Sequence, residues 1–195
     1  MKTLIEFIET QGGSLSEITR HLNSLSKEER VRQVVALNRR QQERLWDLAQ
    51  QAPEPVTLDF LVPAGAPALL PFPFEGKNSL PVFTHFQKVF YRTPDGKIAG
   101  YNHQSLAWLT GPGYYVVKPA MGKPGAVVID YTEIPSSRPQ DWPEIRPNES
   151  GISRFVYAGM KDYLRWVSPD VVIGRAYKGK EESPTPNWFL LCRSR

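Results

Sequence analysis

The stretch that decides the fold is FVYAGMKDYLRWVSPDVVIGRAYKGKEESPTPNWFLLCR, residues 155–193. It contains two apolar runs, Val171–Tyr177 and Trp188–Cys192, separated by a loop rich in Gly, Pro and charged residues. Short runs of β-branched and aromatic residues that are bounded by turn residues are typical of strands. We therefore expect both runs to be strands of one sheet, with Trp188–Cys192 completing it.

The chain before this stretch repeats the pattern of apolar runs and tight turns. Val82–Tyr91 is rich in Val, Phe, Thr and Tyr, and the turn Thr93–Gly96 favours a hairpin with a return strand at Lys97–Leu109. Further predicted strands are Tyr114–Lys118, Ala126–Glu133 and Gly151–Tyr157, with a short helix or bent strand at Lys161–Trp166. Seven or eight strands joined by turns predict an antiparallel sandwich or barrel, and a barrel is favoured because closure removes exposed strand edges.

Residues 1–52 predict an N-terminal helical unit. The sequences Ser14–Glu17 and Ser26–Glu29 have the spacing of capping boxes, which open helices. The second predicts one long helix from Lys27 to about Gln51. A unit of this size buries too little surface to be stable alone. We expect it to pack on the rest of the chain or on a second copy, which makes a homodimer through these helices one hypothesis.

Residues 53–81 form a proline-rich segment between the helical unit and the barrel, which we place at residues 82–195. The prolines of Pro63–Pro67 and of Leu69–Phe74 exclude helix in these two stretches and argue against central strands there. Residues such as Phe60 and Phe72 are nevertheless too apolar for a free linker. We expect an extended segment laid over a hydrophobic surface, and plugging or lining the mouth of a cavity is a further option.

Composition and charge exclude several classes of protein. The net charge of +4 and the pI of about 9.2 are only modestly basic, and the β-region lacks the dense basic and aromatic patch of a nucleic-acid binder. No apolar run approaches the ~18 residues of a membrane span. The single cysteine, Cys192, suits a reducing cytoplasm, where we expect the protein. No phosphate loop and no metal-ligand spacing occurs, so we predict no cofactor and no metal ion.

Four short motifs resemble a known family. Val-Ile-Asp-Tyr at Val128–Tyr131, then Asp162–Arg165, Val171–Tyr177 and Trp188–Leu191 are similar to the second half of lipocalin-like, calycin-type small β-barrels of bacteria, mostly uncharacterised. The resemblance covers Val82–Arg193, and the helical unit is a departure from a minimal calycin barrel. It implies an interior cavity that holds a small apolar or amphipathic ligand. Some similar barrels act as cyclases or isomerases.

Alternation along Val82–Tyr91 predicts which side chains face the interior. One set contains Lys88, and because lysine is expected at the surface, we predict that the other set points inward. That inward set is Phe83, His85, Gln87, Val89 and Tyr91. An interior histidine is a candidate general base or hydrogen-bonding partner of a ligand. A histidine satisfied by the core is the structural alternative.

Neighbouring strands supply the other candidates. Asp130 is expected to be an interior carboxylate paired with Arg165 or Arg175. The pair would be a structural ion pair, an anchor for a polar group of a ligand, or a site of proton transfer. The predicted catalytic residues are His85, Asp130 and Tyr101. The predicted ligand-binding residues are Gln87, Tyr91, His103, Tyr131, Tyr163, Arg165, Arg175 and Tyr177.

Three functions fit this pattern. The first is a cofactor-free cyclase or isomerase that acts on a small hydrophobic metabolite through one or two acid/base groups. The second is a carrier without turnover, and the third is a dimerising scaffold with a filled barrel. An enzyme needs an interior acid/base pair, a carrier needs an apolar lining with one polar anchor, and a scaffold needs no cavity.

Overall fold

The barrel predicted from the sequence is confirmed. The computed structural model describes residues 2–81, 84–103, 111–122, 125–148 and 157–194. Within these ranges, eight antiparallel strands form a closed barrel in which each strand pairs with its sequence neighbours and β8 pairs with β1. The strands are β1 Phe72–Asn78, β2 His85–Arg92, β3 Ile98–His103, β4 Tyr115–Pro119, β5 Val127–Asp130, β6 Met160–Ser168, β7 Val171–Lys178 and β8 Ser183–Arg193.

Helices precede the barrel, as predicted, but one expected helix is two. The helices are α1 Leu4–Glu9, α2 Leu15–Ser24, α3 Lys27–Val35, α4 Arg39–Leu48 with a 3₁₀ turn at Ala49–Gln51, and α5 Leu58–Leu61. The capping box at Ser14 is present. The prediction of a single helix from Lys27 to Gln51 is wrong, because Asn38 caps the start of a new helix. Asn38 Oδ1 accepts from the Gln41 amide at 3.0 Å, and Gln41 Oε1 accepts from the Asn38 amide at 2.9 Å.

The helical unit packs on the barrel. Helix α2 contacts β6, and α3 and α4 contact β8. Leu22, Val34 and Leu45 are fully buried and belong to the same core as Ile173 and Leu190 of the barrel wall. Burial of each such side chain contributes about 1.5–3 kcal/mol, which explains why these short helices are stable here. Packing on the rest of the chain, the first of the two expected arrangements, is what the structure shows.

The barrel begins inside the proline-rich segment. Strand β1 starts within the stretch Leu69–Phe74 and pairs on both sides, with β2 and β8, so the expectation that prolines keep this stretch out of central strands is wrong. Pro73 is the second residue of β1, where a missing N–H is tolerated, and its carbonyl accepts from the Ser194 amide at 3.3 Å. Phe74 beyond it is fully buried.

The chain before β1 lies across one end of the barrel. The Val56 amide donates to Gly125 O at 2.9 Å, in the β4–β5 connection. Arg92, at the end of β2, donates to Val62 O at 3.3 Å, and Arg193, at the end of β8, donates to Phe60 O. The β4–β5 connection and the ends of β2 and β8 lie at the same end of the barrel, so the segment around α5 covers that end.

Several predicted elements end differently or lie elsewhere. The return strand predicted at Lys97–Leu109 ends at His103 in β3, and residues 104–110 lie outside the described residues. Phe83 and residues 151–156 of the predicted strand Gly151–Tyr157 also lie outside the described residues. The ambiguous Lys161–Trp166 is part of strand β6. In the described part of the chain, no helix combines the length and the apolar composition that crossing a membrane requires.

Candidate functional site

The register of the barrel puts Lys88 inside. Lys88 pairs with Phe74 on β1 and with Asn102 on β3, and all three side chains are buried. Lys88 is only 2% exposed. The side chains of Phe86 and Phe90 share its face of β2, since alternate residues of a strand point the same way. The prediction that Lys88 lies outside is therefore wrong, and it reversed both faces of this strand.

Four buried polar side chains meet in the interior, and we call them the Lys88 cluster: Lys88, Asn102, Tyr131 and Asp162. Lys88 Nζ donates to Asn102 Oδ1 at 2.8 Å and to the Tyr131 hydroxyl, and it lies 3.4 Å from Asp162 Oδ2. Asn102 Nδ2 donates to the Tyr131 hydroxyl at 3.1 Å, and that hydroxyl lies 3.3 Å from Asp162 Oδ2. The ammonium thus has three oxygen partners, which is what a buried cation requires.

Strand ends place the Lys88 cluster near the end of the barrel that faces away from α5. Asn102 is the last but one residue of β3, Tyr131 follows β5, and Asp162 is the third residue of β6. β3 and β5 run toward this end and β6 starts from it, because consecutive strands are antiparallel.

Aromatic rings surround the ammonium. Its nitrogen lies 4.9 Å from the centroid of the Tyr115 ring, 5.1 Å from Tyr131, 5.2 Å from Phe189 and 5.6 Å from Phe86. A cation over an aromatic face is stabilised by about 0.5–2 kcal/mol, more when water is absent. The cluster is therefore polar at its centre and apolar around it, the combination that small-molecule sites use.

Burial shifts both charged groups of the cluster toward their neutral forms. Desolvation lowers the pKa of Lys88 to about 8, against the opposing attraction of Asp162. Desolvation also raises the pKa of Asp162, and Lys88 and Tyr131 only partly counter it. An amine that titrates near neutral pH can take up and release a proton, and a strongly shifted pair in an enclosed site is typical of functional sites.

Part of the interior is filled by rings that pack against glycines. A Cβ placed on Gly76 would lie 2.6 Å from the Phe86 ring, and one on Gly174 would lie 2.1 Å from the Phe189 ring. The two rings are themselves in edge-to-face contact, with centroids 6.2 Å apart. Glycine at these inward positions leaves the space that Phe86 and Phe189 occupy.

The residues predicted on the other face of β2 lie outside the barrel. His85 is exposed, with Nδ1 3.2 Å from Thr84 Oγ1, and His103 is also exposed. Gln87 donates to Glu75 Oε1 at 2.9 Å on the outer face of β1 and β2. The predicted interior placement of His85 and Gln87 is therefore wrong, because Lys88 occupies the inward face instead, and the ligand-binding candidate His103 also lies outside the barrel.

Tyr91 and Tyr101 are buried, but under a loop on the outer wall. The Tyr91 hydroxyl donates to Ser137 O at 2.6 Å, and the Tyr101 ring centroid lies 4.5 Å from that of Trp142. The loop is held by Asn148, which donates to Tyr114 O at 2.7 Å. Their predicted interior placement is wrong, and the proline-rich β5–β6 connection explains their burial.

Asp130 points outward, and its neighbour Tyr131 points inward. Asp130 Oδ1 accepts from the Thr132 amide at 2.9 Å, and Oδ2 lies 3.2 Å from Lys118 Nζ. Lys118, and not Arg165 or Arg175, is therefore its cation, so the predicted pairing is wrong. Tyr131, from the predicted ligand-binding set, is the member that enters the Lys88 cluster.

Three other predicted residues meet on the outer wall. Tyr163, Arg165 and Tyr177 line a cleft between the helical unit and strands β6 and β7. Arg175, on the same wall, stacks on Trp188 with its guanidinium carbon 5.1 Å from the ring centroid, and its Nε donates to Thr185 O at 2.9 Å.

Sequence reasoning missed Lys88, Asn102 and Asp162. A signal for Lys88 was available, because it lies between Phe86 and Phe90 on an otherwise apolar face. No signal linked it to Asp162, which is 74 residues away and pairs with it only through the closed barrel.

Known proteins offer no relative from which a role could be carried over. No family model, no curated protein and no solved structure matches the chain. Across the described ranges, no group of three or more His, Cys, Asp or Glu side chains is arranged to hold a metal ion. The closed eight-stranded antiparallel barrel is consistent with a calycin-type barrel, and membership of that family stays a proposal.

Proposed function

We propose that the protein binds a small amphipathic molecule in the barrel interior, with Lys88 holding its polar group. The observation that carries this proposal is the buried Lys88 ammonium with Asp162, ringed by four aromatic side chains. The ligand class that fits has a carboxylate or carbonyl group, which would replace one of the three oxygens around the ammonium, and an apolar body, which packs against the rings.

The energetics of the Lys88 cluster support a role beyond folding. A buried ion pair is often no more stabilising than apolar residues of the same volume, because desolvation offsets the attraction. Lys88 is fully enclosed with Asp162 in a wall otherwise rich in Val, Ile and Phe. A charge retained at such a position is a functional-site candidate on physical grounds.

The same pair supports proton transfer. Lys88 has a pKa of about 8, so a fraction of the amine is neutral and able to act as a base near neutral pH. Burial raises the pKa of Asp162, the titratable group beside it. Moving a proton between two positions of one molecule is the step that cofactor-free isomerisation or cyclisation requires. We propose this class of reaction if the bound molecule turns over, in the reducing cytoplasm that the lone, buried Cys192 suits.

A second candidate is a scaffold with a filled barrel. It is favoured by one observation, the packing of the Phe86 and Phe189 rings against Gly76 and Gly174. In that case the Lys88 cluster is a satisfied polar core, and dimerisation through the helical unit would be the function to test.

Native mass spectrometry separates the two candidates. Protein purified under gentle conditions is weighed intact and then extracted under denaturing conditions. We expect a co-purifying small amphipathic molecule that is lost from Lys88→Met/Asp162→Leu, a double variant that leaves no unpaired charge, and kept by Lys118→Met on the outer wall. A protein without added mass that also fails to bind the amphipathic dye 1-anilinonaphthalene-8-sulfonate would overturn the proposal in favour of the scaffold.

A further inference from the structure

A cavity lies outside the barrel, where the end of α4 and the segment after it face β6 and β7. We call it the Arg165 cleft, and its volume is about 500 Å³. Its lining includes Trp46, Pro53, Tyr163, Arg165 and Tyr177. Tyr163 and Arg165 alternate with the inward residues of β6, so the barrel wall separates the cleft from the Lys88 cluster.

Arg165 is held flat against Trp46. Its guanidinium carbon lies 3.7 Å from the centroid of the Trp46 ring, and Nη1 donates to the Trp46 carbonyl at 2.9 Å. Stacking and this hydrogen bond fix the plane of the guanidinium before any ligand arrives, which reduces the entropy lost on binding.

The remaining donors of Arg165 have no acceptor in the described part of the chain. A guanidinium has five N–H groups, and one of them is used on Trp46. Among the described residues no carboxylate lies within 4 Å of it, whereas Arg30 of α3, which is also partly buried against the barrel, is paired with Asp170. Burial lowers the pKa of Arg165, because the cation is partly removed from water, and the electrostatic interactions with Tyr177 and Asp47 only partly oppose this shift.

The walls of the cleft are aromatic and of the right size for a small molecule. The Tyr163 and Tyr177 rings are in edge-to-face contact, with centroids 4.8 Å apart, opposite the prolines at 53 and 55. Cavities of roughly 300–1,000 Å³ hold drug-sized ligands. Exposed Glu54 also lines the cleft, and its charge would repel a multiply charged phosphate more than a single carboxylate.

We propose that the Arg165 cleft is a second binding site, which takes a small aromatic monocarboxylate: the carboxylate accepts from the guanidinium edge and the ring packs between the tyrosines and the prolines. This site uses Tyr163, Arg165 and Tyr177 and does not depend on the interior site or on its ligand. Arg is the side chain whose planar donors match a carboxylate.

The test uses 2-naphthoate as the probe and the intact protein. Binding is followed by the shifts of the tryptophan indole N–H signals in two-dimensional NMR, with Trp46 assigned through Trp46→Phe. We expect saturable shifts at Trp46, and an affinity about tenfold or more weaker for the uncharged analogue 2-naphthalenemethanol, since a charge-assisted hydrogen bond contributes about 1.5–3 kcal/mol.

Variants locate the interaction. Arg165→Gln should bind 2-naphthoate at least about tenfold more weakly than the native protein does, while the affinity for 2-naphthalenemethanol changes little. Arg165→Lys should restore part of the lost affinity for 2-naphthoate. Arg175→Gln, which removes an arginine stacked on Trp188 outside the cleft, is the matched control and should keep the native affinity. Equal affinity of the native protein for the acid and the alcohol, or no shift at Trp46, overturns the proposal without needing any variant to fold.

Discussion

Two lysine–aspartate pairs lie in the barrel wall, one inside and one outside. Lys88 and Asp162 are 3.4 Å apart, and their side chains are 3% and 6% exposed. Lys118 and Asp130 are 3.2 Å apart, but the Lys118 side chain is 41% exposed. The separations are nearly equal, so distance alone does not distinguish the pairs.

The two pairs nevertheless titrate in opposite directions. In the inner pair, burial lowers the lysine pKa and raises the aspartate pKa. In the outer pair, a hydrogen bond to Glu133 raises the pKa of Lys118. Burial works to raise the pKa of Asp130, but hydrogen bonds from Thr132 and from Lys118 outweigh it and lower that pKa. Solvent access, and not distance, therefore decides whether such a pair favours its charged or its neutral form.

Removing the lysine from each pair gives the largest expected difference. Lys88→Met should lower the free energy of unfolding by about 3–5 kcal/mol, because Asp162 is left buried without its cation. Lys118→Met should cost less than about 1 kcal/mol, because water replaces the lost contact. Urea-induced unfolding measures both. The double variant Lys88→Met/Asp162→Leu should regain most of the free energy of unfolding that Lys88→Met loses. Equal losses in the two single variants would contradict the comparison.

The pH dependence of stability sharpens the comparison. Lys88 has a folded pKa of about 8, below its ordinary unfolded value. Above pH 8 the unfolded chain therefore binds more protons than the native one, and stability rises with pH. Between about pH 8 and about pH 10, the free energy of unfolding of the native protein should rise by about 2 kcal/mol relative to that of Lys88→Met/Asp162→Leu. The cost of burying the charged amine is fully present below pH 8, and a flat difference across the window would contradict the assigned pKa.

Alanine substitutions at two glycines compare the packing of the interior with that of the surface. Gly174→Ala should cost about 1–3 kcal/mol, because the new methyl group meets the Phe189 ring. Gly65→Ala, on the surface with no atom within 4 Å of its added Cβ, should change stability little. Thermal unfolding measures both. If Gly174→Ala is also neutral, Phe189 has space to move, and the interior is less filled than its packing indicates.

Elements that depend on local sequence could be predicted. The turn at Thr93–Gly96 and the capping box at Ser14 are where the sequence placed them, because each depends on residues three or four positions apart. The capping signal of Asn38 and Gln41 was equally present and was overlooked, which merged two helices into one. Strand β1 was missed because Pro73 obscured an alternation of Phe72, Phe74 and Gly76.

The candidate site could not be predicted in the same way. A one-residue choice of face reverses every side chain of a strand, and the choice rested on the single assumption that Lys88 faces water. Alternation was right, and Tyr131 and Asp130 do lie on opposite faces. The assumption that lysine faces water failed because acceptors on β3 and β6, and Tyr131 directly after β5, satisfy the ammonium. No local sequence pattern indicates these acceptors.

The sequence by itself determined the mainly β class, the barrel with its tight turns and the helices before it, since alternation, caps and turn residues act over a few positions. The tertiary structure decided which face is interior, which aspartate meets which lysine, and that Arg165 stacks on Trp46 of a distant helix. The first two outcomes depend on closing the barrel, because closure removes water from Lys88 and brings distant residues within hydrogen-bonding distance. The third depends on the packing of the helical unit on the outer wall.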